Sequence, residues 1–199
     1  MAARITRTLS RLRKMIIRRL PRQIESRAWR AFRAIAPQAE RYFGTREAGF
    51  RVLDIKQADE GPVMKFDGQS ITLVVGPNAT AYEPTLISNI AHETVHSLSP
   101  RTGDASMLEE GAAVYFELSV INARYGAAEK TKFLNFLPPL YREALTDFEQ
   151  LLKFDKKPGR TIRSTFGSMT DVSKRELRDL YDELDGELAD RLVKRKRMR

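Results

Sequence analysis

The sequence predicts an α+β fold in which a small antiparallel sheet is followed by a mostly helical body. Through most of the chain, apolar residues recur every three or four positions, which is the spacing of one helix face. Between residues 50 and 75 the pattern changes to alternation, which favours short strands. With 199 residues, 42% of them hydrophobic, the chain can bury one core. We therefore expect a body at residues 23–192, a basic amphipathic segment at 1–22 and a basic tail at 193–199.

The basic segment at the start of the chain predicts a helix over residues 4–20. Its apolar stripe is flanked by arginine and lysine side chains and contains Ile5, Leu9, Leu12, Ile16 and Leu20. Pro21 then marks a boundary. Three interpretations stay open: packing on the protein's own core or a partner, contact with an anionic membrane surface, and an arginine-rich organelle transit segment.

The net charge of +9 comes from the two ends of the chain. Residues 1–24 contain eight Arg or Lys and residues 191–199 contain six, with no acidic residue in either segment. The remainder has 21 basic and 26 acidic residues, so the body is mildly acidic. A short basic tail is more often solvated than bound, so nucleic acid is the weaker hypothesis for a partner, although it is not excluded.

The composition also limits the compartment and the chemistry. The chain has no cysteine, which excludes disulfides and thiolate metal ligands. No apolar run approaches the roughly 18 residues of a membrane-spanning helix, and the early apolar cluster is too short for a secretory signal. We expect a cytoplasmic protein, with peripheral attachment to a membrane left open.

The elements before the central motif follow from periodicity and from turn residues. Residues 23–43 predict a helix, and residues 50–55 predict a first strand. Two apolar runs, residues 63–66 and 70–75, flank a short loop containing Gly68 and predict a hairpin. We expect this sheet to lie immediately before the helix that carries the candidate site.

The two histidines of the chain, His92 and His96, both lie in the sequence A-H-E-T-V-H. A helix is expected here, because Pro84 suits a first helical turn and because a buried stripe follows with helical spacing. Residues four apart lie on one side of a helix, so both imidazoles can bind one ion. Glu93 lies at the rim of the same side. This H-E-x-x-H geometry predicts a Zn²⁺ site with a carboxylate general base.

A second segment, residues 108–115, supplies the missing ligand. Its letters L-E-E-G-A-A-V-Y match the pattern L-x-E-G-x-A-x-Y at five positions. Here the chain resembles the gluzincin zinc metallopeptidases of the peptidase-MA-like superfamily, which implies a zincin-like fold and Glu110 as third zinc ligand. Glu109 is the rival ligand. Because Ser106 can cap this helix with Glu109 as its capping-box partner, we favour Glu110 for the metal.

The resemblance implies a metallopeptidase that hydrolyses peptide or protein substrates, with Glu93 as the general base. Glu117 lies seven residues after Glu110 and is a candidate for orienting a ligand histidine. Gluzincins add a residue that stabilises the oxyanion; with no third histidine, Tyr115 and Tyr141 are candidates. In that family an edge strand binds extended substrate, and residues 71–76 are the candidate groove wall.

Two other functions stay open from the sequence. One is a non-catalytic zincin-like binding protein whose basic ends contact membrane or nucleic acid. The other is a helical partner protein without metal. Metal-dependent peptide cleavage that is lost on Glu93→Gln would separate the enzyme from both.

The rest of the chain predicts helices and one basic loop. Residues 128–137 and 140–154 have helical patterns separated by two prolines, and residues 156–167 read as a loop. Ser173 and Glu176 match a capping box that opens a last helix. Its stripe contains Leu177, Leu180, Leu184, Leu188 and Leu192.

Overall fold

The computed structural model describes residues 15–195, which form an α+β fold of eight α-helices and a four-stranded sheet. The strands are β1 (Ile17–Arg19), β2 (Arg51–Ala58), β3 (Val63–Asp67) and β4 (Ser70–Val75). The helices are α1 (Arg22–Phe43), α2 (Glu83–His96), α3 (Met107–Tyr125), α4 (Ala127–Phe136), α5 (Pro139–Leu151), α6 (Pro158–Phe166), α7 (Lys174–Leu180) and α8 (Gly186–Leu192). The predicted fold class is confirmed.

The sheet is mixed, so the prediction of an antiparallel sheet was wrong. Its strand order is β1-β2-β4-β3: β2 runs parallel to β4, while β1 and β3 pair antiparallel with their neighbours. The predicted hairpin of β3 and β4 is present. The apolar β4 is buried and takes a central position, whereas the more polar β3 takes the edge. The chain reverses direction between β2 and β3 and again between β3 and β4, so β2 and β4 run in the same direction.

The end of the basic N-terminal segment is a strand and not a helix. Ile17 pairs with Ala58 and Arg19 pairs with Lys56 on the outer edge of β2. An isolated helix is costly to nucleate, whereas the edge of β2 has backbone N–H and C=O groups with which residues 17–19 can pair. The predicted helix over residues 4–20 is therefore wrong at residues 17–19, and its first part lies outside the described residues. So do residues 196–199 of the basic tail.

The core is built around α2, which contacts α1, α3 and β4. Eleven of its 14 residues are buried, so this helix is enclosed on nearly all sides. Across residues 15–195, no helix combines the length and the hydrophobicity needed to cross a bilayer.

Two predictions for the C-terminal part were wrong. The predicted loop at residues 156–167 contains α6, in which Gly159 packs against Phe43 and the buried Arg163 donates hydrogen bonds to the carbonyls of Phe43 and Leu98. The predicted single last helix is two helices, since the chain breaks after α7 and Asp185 caps α8. The predicted capping box at Ser173 is present.

Candidate metal centre

Helix α2 places the two histidines one turn apart with their rings 5.0 Å from centroid to centroid. Pro84 lies in its first turn, as predicted, and the helix ends at His96. Both imidazoles are buried, with exposed fractions of 6% for His92 and 8% for His96. The side chain of Glu93 is buried as well. A single helix thus holds three polar side chains in the core, where a polar group without a partner is costly.

Helix α3 brings Glu110 next to the two histidines. Its Oε2 lies 3.2 Å from Nε2 of His92 and 3.7 Å from Nε2 of His96, and the three ligand atoms lie within 4.8 Å of one another. Around a tetrahedral zinc with bonds of 2.0–2.1 Å, neighbouring ligand atoms are about 3.4 Å apart. Glu110 Oε2 is buried and has no hydrogen-bond partner among residues 15–195. Two imidazoles and a carboxylate oxygen that converge at these distances, with no aligned hydrogen bond to that oxygen, fit a divalent cation.

The outer nitrogens of both histidines contact carboxylates. Nδ1 of His92 lies 3.1 Å from Oε2 of Glu117, whose other oxygen accepts a hydrogen bond from Ser88. Nδ1 of His96 lies 2.9 Å from Oε1 of Glu109. When Nδ1 donates to a carboxylate, the tautomer leaves the Nε2 lone pair free for a metal. Both histidines therefore turn Nε2 towards Glu110.

Glu109 has a different position from the one predicted. Its backbone N–H donates to the Ser106 hydroxyl, so the predicted N-cap is present. Its carboxylate, however, does not return to Ser106; it contacts His96 and accepts a hydrogen bond from Thr170. Thr170 lies in the loop between α6 and α7, 61 residues further along the chain, and no feature of the sequence pointed to it.

Of the two candidate tyrosines, the structure brings only Tyr141 to the site. The ring of Tyr141 meets that of His92 edge to face at 5.7 Å and lines the same cleft. Tyr115 instead packs against Tyr42 and Phe148, away from the histidine pair. Tyr115 therefore does not fit the oxyanion role that the sequence left open for it.

Burial and neighbouring charges shift the pKa values of the side chains at this site. Burial would lower the pKa of His92, but the adjacent carboxylates of Glu110 and Glu117 raise it to about 10. The pKa of His96 is also raised well above its usual value against the effect of burial, chiefly by Glu110. Although burial favours the neutral acid, the two imidazoles hold the pKa of Glu110 well below its usual range. Burial raises the pKa of Glu93, so this carboxyl group binds a proton more readily than an exposed one.

The site opens into a cleft of about 550 Å³. His92, Glu93 and Glu110 form part of its lining, and Val63 and Met64 of β3 form another part. The predicted groove wall at residues 71–76 was wrong, because β4 is paired on both sides with β2 and β3. Among residues 15–195, the edge strand next to the site is β3.

Comparison with known proteins gives no match to a family model, to a curated protein or to a solved structure.

Proposed function

We propose that this protein is a zinc-dependent metallopeptidase that hydrolyses peptide bonds. The observation that carries the proposal is the convergence of His92 Nε2, His96 Nε2 and Glu110 Oε2, the last buried without a hydrogen-bond partner in the described chain. Three protein ligands with nitrogen and oxygen donors would leave a bound zinc ion one open position for water or substrate, as in catalytic zinc sites.

A zinc ion supplies Lewis acidity at such a site and makes a water molecule more acidic. Glu93 follows His92 directly in α2 and lines the cleft, so its carboxylate is placed to accept a proton from water and to deliver it to the leaving amine. Burial raises the pKa of this carboxyl group, which suits a group that must both take up and release a proton.

Tyr141 is the residue best placed to stabilise the oxyanion. It lies in α5, beside His92, on the lining of the cleft. Burial and the carboxylates of Glu110 and Glu93 raise its pKa, so the phenol stays protonated and can donate a hydrogen bond to negative charge on the substrate oxygen.

The unpaired edge of β3 supports a peptide as the substrate. Backbone N–H and C=O groups along this edge have no strand partner on their outer side among residues 15–195. An extended peptide can add as a further strand, which would hold its carbonyl groups next to the histidine pair. Because the peptide is held through its backbone, side-chain preference must come from other parts of the cleft.

The test combines metal analysis with peptide cleavage. Elemental analysis of purified protein should find one zinc per chain in the wild type and in Glu93→Gln, and much less in Glu110→Ala. Mass spectrometry of a peptide mixture should show cleavage by the wild type and none by Glu93→Gln. Wild-type protein without stoichiometric zinc, or equal cleavage by Glu93→Gln, would contradict the proposal.

A further inference from the structure

Thr170 lies one hydrogen bond beyond the carboxylate that contacts His96. Its hydroxyl group binds Oε2 of Glu109, and Oε1 of the same carboxylate lies 2.9 Å from Nδ1 of His96. Thr170 and Glu109 are each only 3% exposed. Polar groups buried to this extent are costly unless they are paired, so each of them depends on the other for a partner.

The backbone of Ser106 fixes the direction of these hydrogen bonds. Its N–H group can only donate, and it donates to Oγ1 of Thr170 over 3.2 Å. The hydroxyl proton of Thr170 is then left for Glu109, because it cannot point towards another donor. Glu109 accepts this proton at Oε2 and offers Oε1 as an acceptor to Nδ1 of His96. The arrangement favours the His96 tautomer with a proton on Nδ1 and a lone pair on Nε2, which faces Glu110.

The backbone of Thr170 is held on both sides. Its N–H group donates to the Ser168 hydroxyl over 3.1 Å, and its C=O group accepts a hydrogen bond from Nη2 of Arg195 over 3.3 Å. The segment that contains Arg195 runs beside the start of α3, where the N–H group of Met107 donates to the C=O group of Lys194. Thr170 is therefore fixed relative to α3, and its hydroxyl group holds the carboxylate that it binds in one orientation.

His92 has a matching arrangement that does not involve Thr170. Its Nδ1 lies 3.1 Å from Oε2 of Glu117, and the buried hydroxyl group of Ser88 donates to Oε1 of that carboxylate. Ser88 lies one turn before His92 in α2, whereas Thr170 reaches the site from the loop between α6 and α7. The two histidines therefore depend on separate hydroxyl groups and can be perturbed separately.

We infer that Thr170 is a positioning residue of the metal centre, which acts through Glu109 on the orientation and tautomer of His96. The inference rests on the zinc site of the proposed function and does not depend on peptide cleavage. Because the hydroxyl group has this role, Thr170→Ser should keep it. Thr170→Val has almost the same shape as threonine but no donor, so it should leave Glu109 free to rotate.

Zinc affinity of the full-length protein, measured by competition with a chelator, gives the first test. We expect Thr170→Val to weaken zinc binding about three- to tenfold, the effect of one hydrogen bond, and Thr170→Ser to stay close to the wild type. The matched control is Thr161→Val in α6, which also removes a threonine hydroxyl group that binds a carboxylate, that of Asp155. Thr161 lies outside the described lining of the cleft, so this control should keep wild-type affinity.

The imidazole signals separate a positioning role from a general loosening of the fold. Since the chain has two histidines, long-range ¹H–¹⁵N NMR spectra resolve each ring. Thr170→Val should shift the nitrogen signals of His96 more than those of His92, and Ser88→Ala should do the reverse. The valine variant also leaves the Ser106 N–H group without its acceptor, so the smaller Thr170→Ala replaces it if it does not fold. Equal shifts at both rings, no shift, or an equal loss of affinity in Thr170→Ser and Thr170→Val would overturn the inference.

The inference and the proposed function fail in different ways. Stoichiometric zinc in the wild type, with wild-type affinity in Thr170→Val, would keep the zinc site and refute the role of Thr170. Wild-type protein that binds no zinc would refute the proposed function. Spectra of the metal-free protein then decide the inference: a larger shift at His96 than at His92 in Thr170→Val supports it, and equal shifts or none refute it.

Discussion

Helices α3 and α5 cross so closely at Gly111 that one added methyl group should disturb both the fold and the metal centre. A Cβ atom at this position would lie 2.2 Å from the carbonyl oxygen of Ala144 and 2.7 Å from Cβ of Phe148. Both of these atoms belong to α5, so Gly111 faces α5 and not the helix that carries the two histidines. A backbone carbonyl cannot rotate away, so the helices must separate by about 1 Å to restore an ordinary C···O distance.

The expected cost follows from two opposing effects. Forcing an extra methyl group into a packed interface costs about 1–3 kcal/mol, while replacing glycine by alanine within a helix returns up to about 1 kcal/mol. We expect Gly111→Ala to lower the free energy of unfolding by about 1–2 kcal/mol. Urea denaturation of metal-free protein, followed by circular dichroism, measures this change without a contribution from zinc.

The displacement of α3 should also move the carboxylate of Glu110, because Glu110 directly precedes Gly111. Metal–ligand distances tolerate only about 0.2 Å, so a displacement of about 1 Å should weaken zinc binding at least about tenfold, measured by competition with a chelator. Gly186→Ala is the control, since its Cβ would meet only the flexible end of Lys174 at 3.9 Å. If Gly111→Ala unfolds at the wild-type urea concentration and binds zinc with wild-type affinity, the close crossing is refuted.

Three further predictions concern the site. Because the pKa of His92 is raised to about 10 and that of His96 is also raised, zinc binding at pH 7.5 should release about one proton from His92 and a further fraction of a proton from His96, and affinity should rise with pH up to that value. Calorimetry in buffers of different ionisation enthalpy measures the release; unshifted histidines would give only about 0.2 protons. Glu109→Gln and Glu117→Gln should each weaken zinc binding by about 10–100-fold while the protein still binds one ion, and wild-type affinity in either would remove its positioning role. Tyr141→Phe should lower kcat by about 10²–10³-fold without changing zinc affinity, whereas Tyr115→Phe should leave cleavage unchanged.

The sequence was sufficient to predict those helices and strands whose formation depends on residues close by in the chain. The alternation in residues 63–75 was enough for the hairpin of β3 and β4, and the apolar stripe of α1 was enough for its helix. The order of the sheet depends on how α1 and α2 pack against the strands, so it could not be predicted from the local sequence pattern. Residues 17–19 fit a helical stripe, but pairing with β2 decides their conformation.

The missed helix α6 has a similar cause. The sequence predicts a loop at residues 156–167, because this segment contains glycine and proline and glycine weakens a helix on its own. In the structure a Cβ atom at Gly159 would lie 2.6 Å from the ring of Phe43, so the glycine is required by close packing within a helix. Long-range packing thus overrides the local preference.

At the candidate metal centre, some contacts follow from the spacing of residues along one helix, and others depend on how two helices pack. Spacing along one helix is sufficient to place His92 and His96 together, whereas the approach of Glu110 depends on how α3 packs against α2. Consecutive residues on a helix point about 100° apart, so Glu109 and Glu110 cannot both face the space between the two Nε2 atoms. Glu110 takes that space, and Glu109 reaches the outer nitrogen of His96. Two adjacent glutamates therefore contact one histidine from opposite sides, and helix geometry makes Glu110 the candidate ligand and Glu109 the candidate positioning residue.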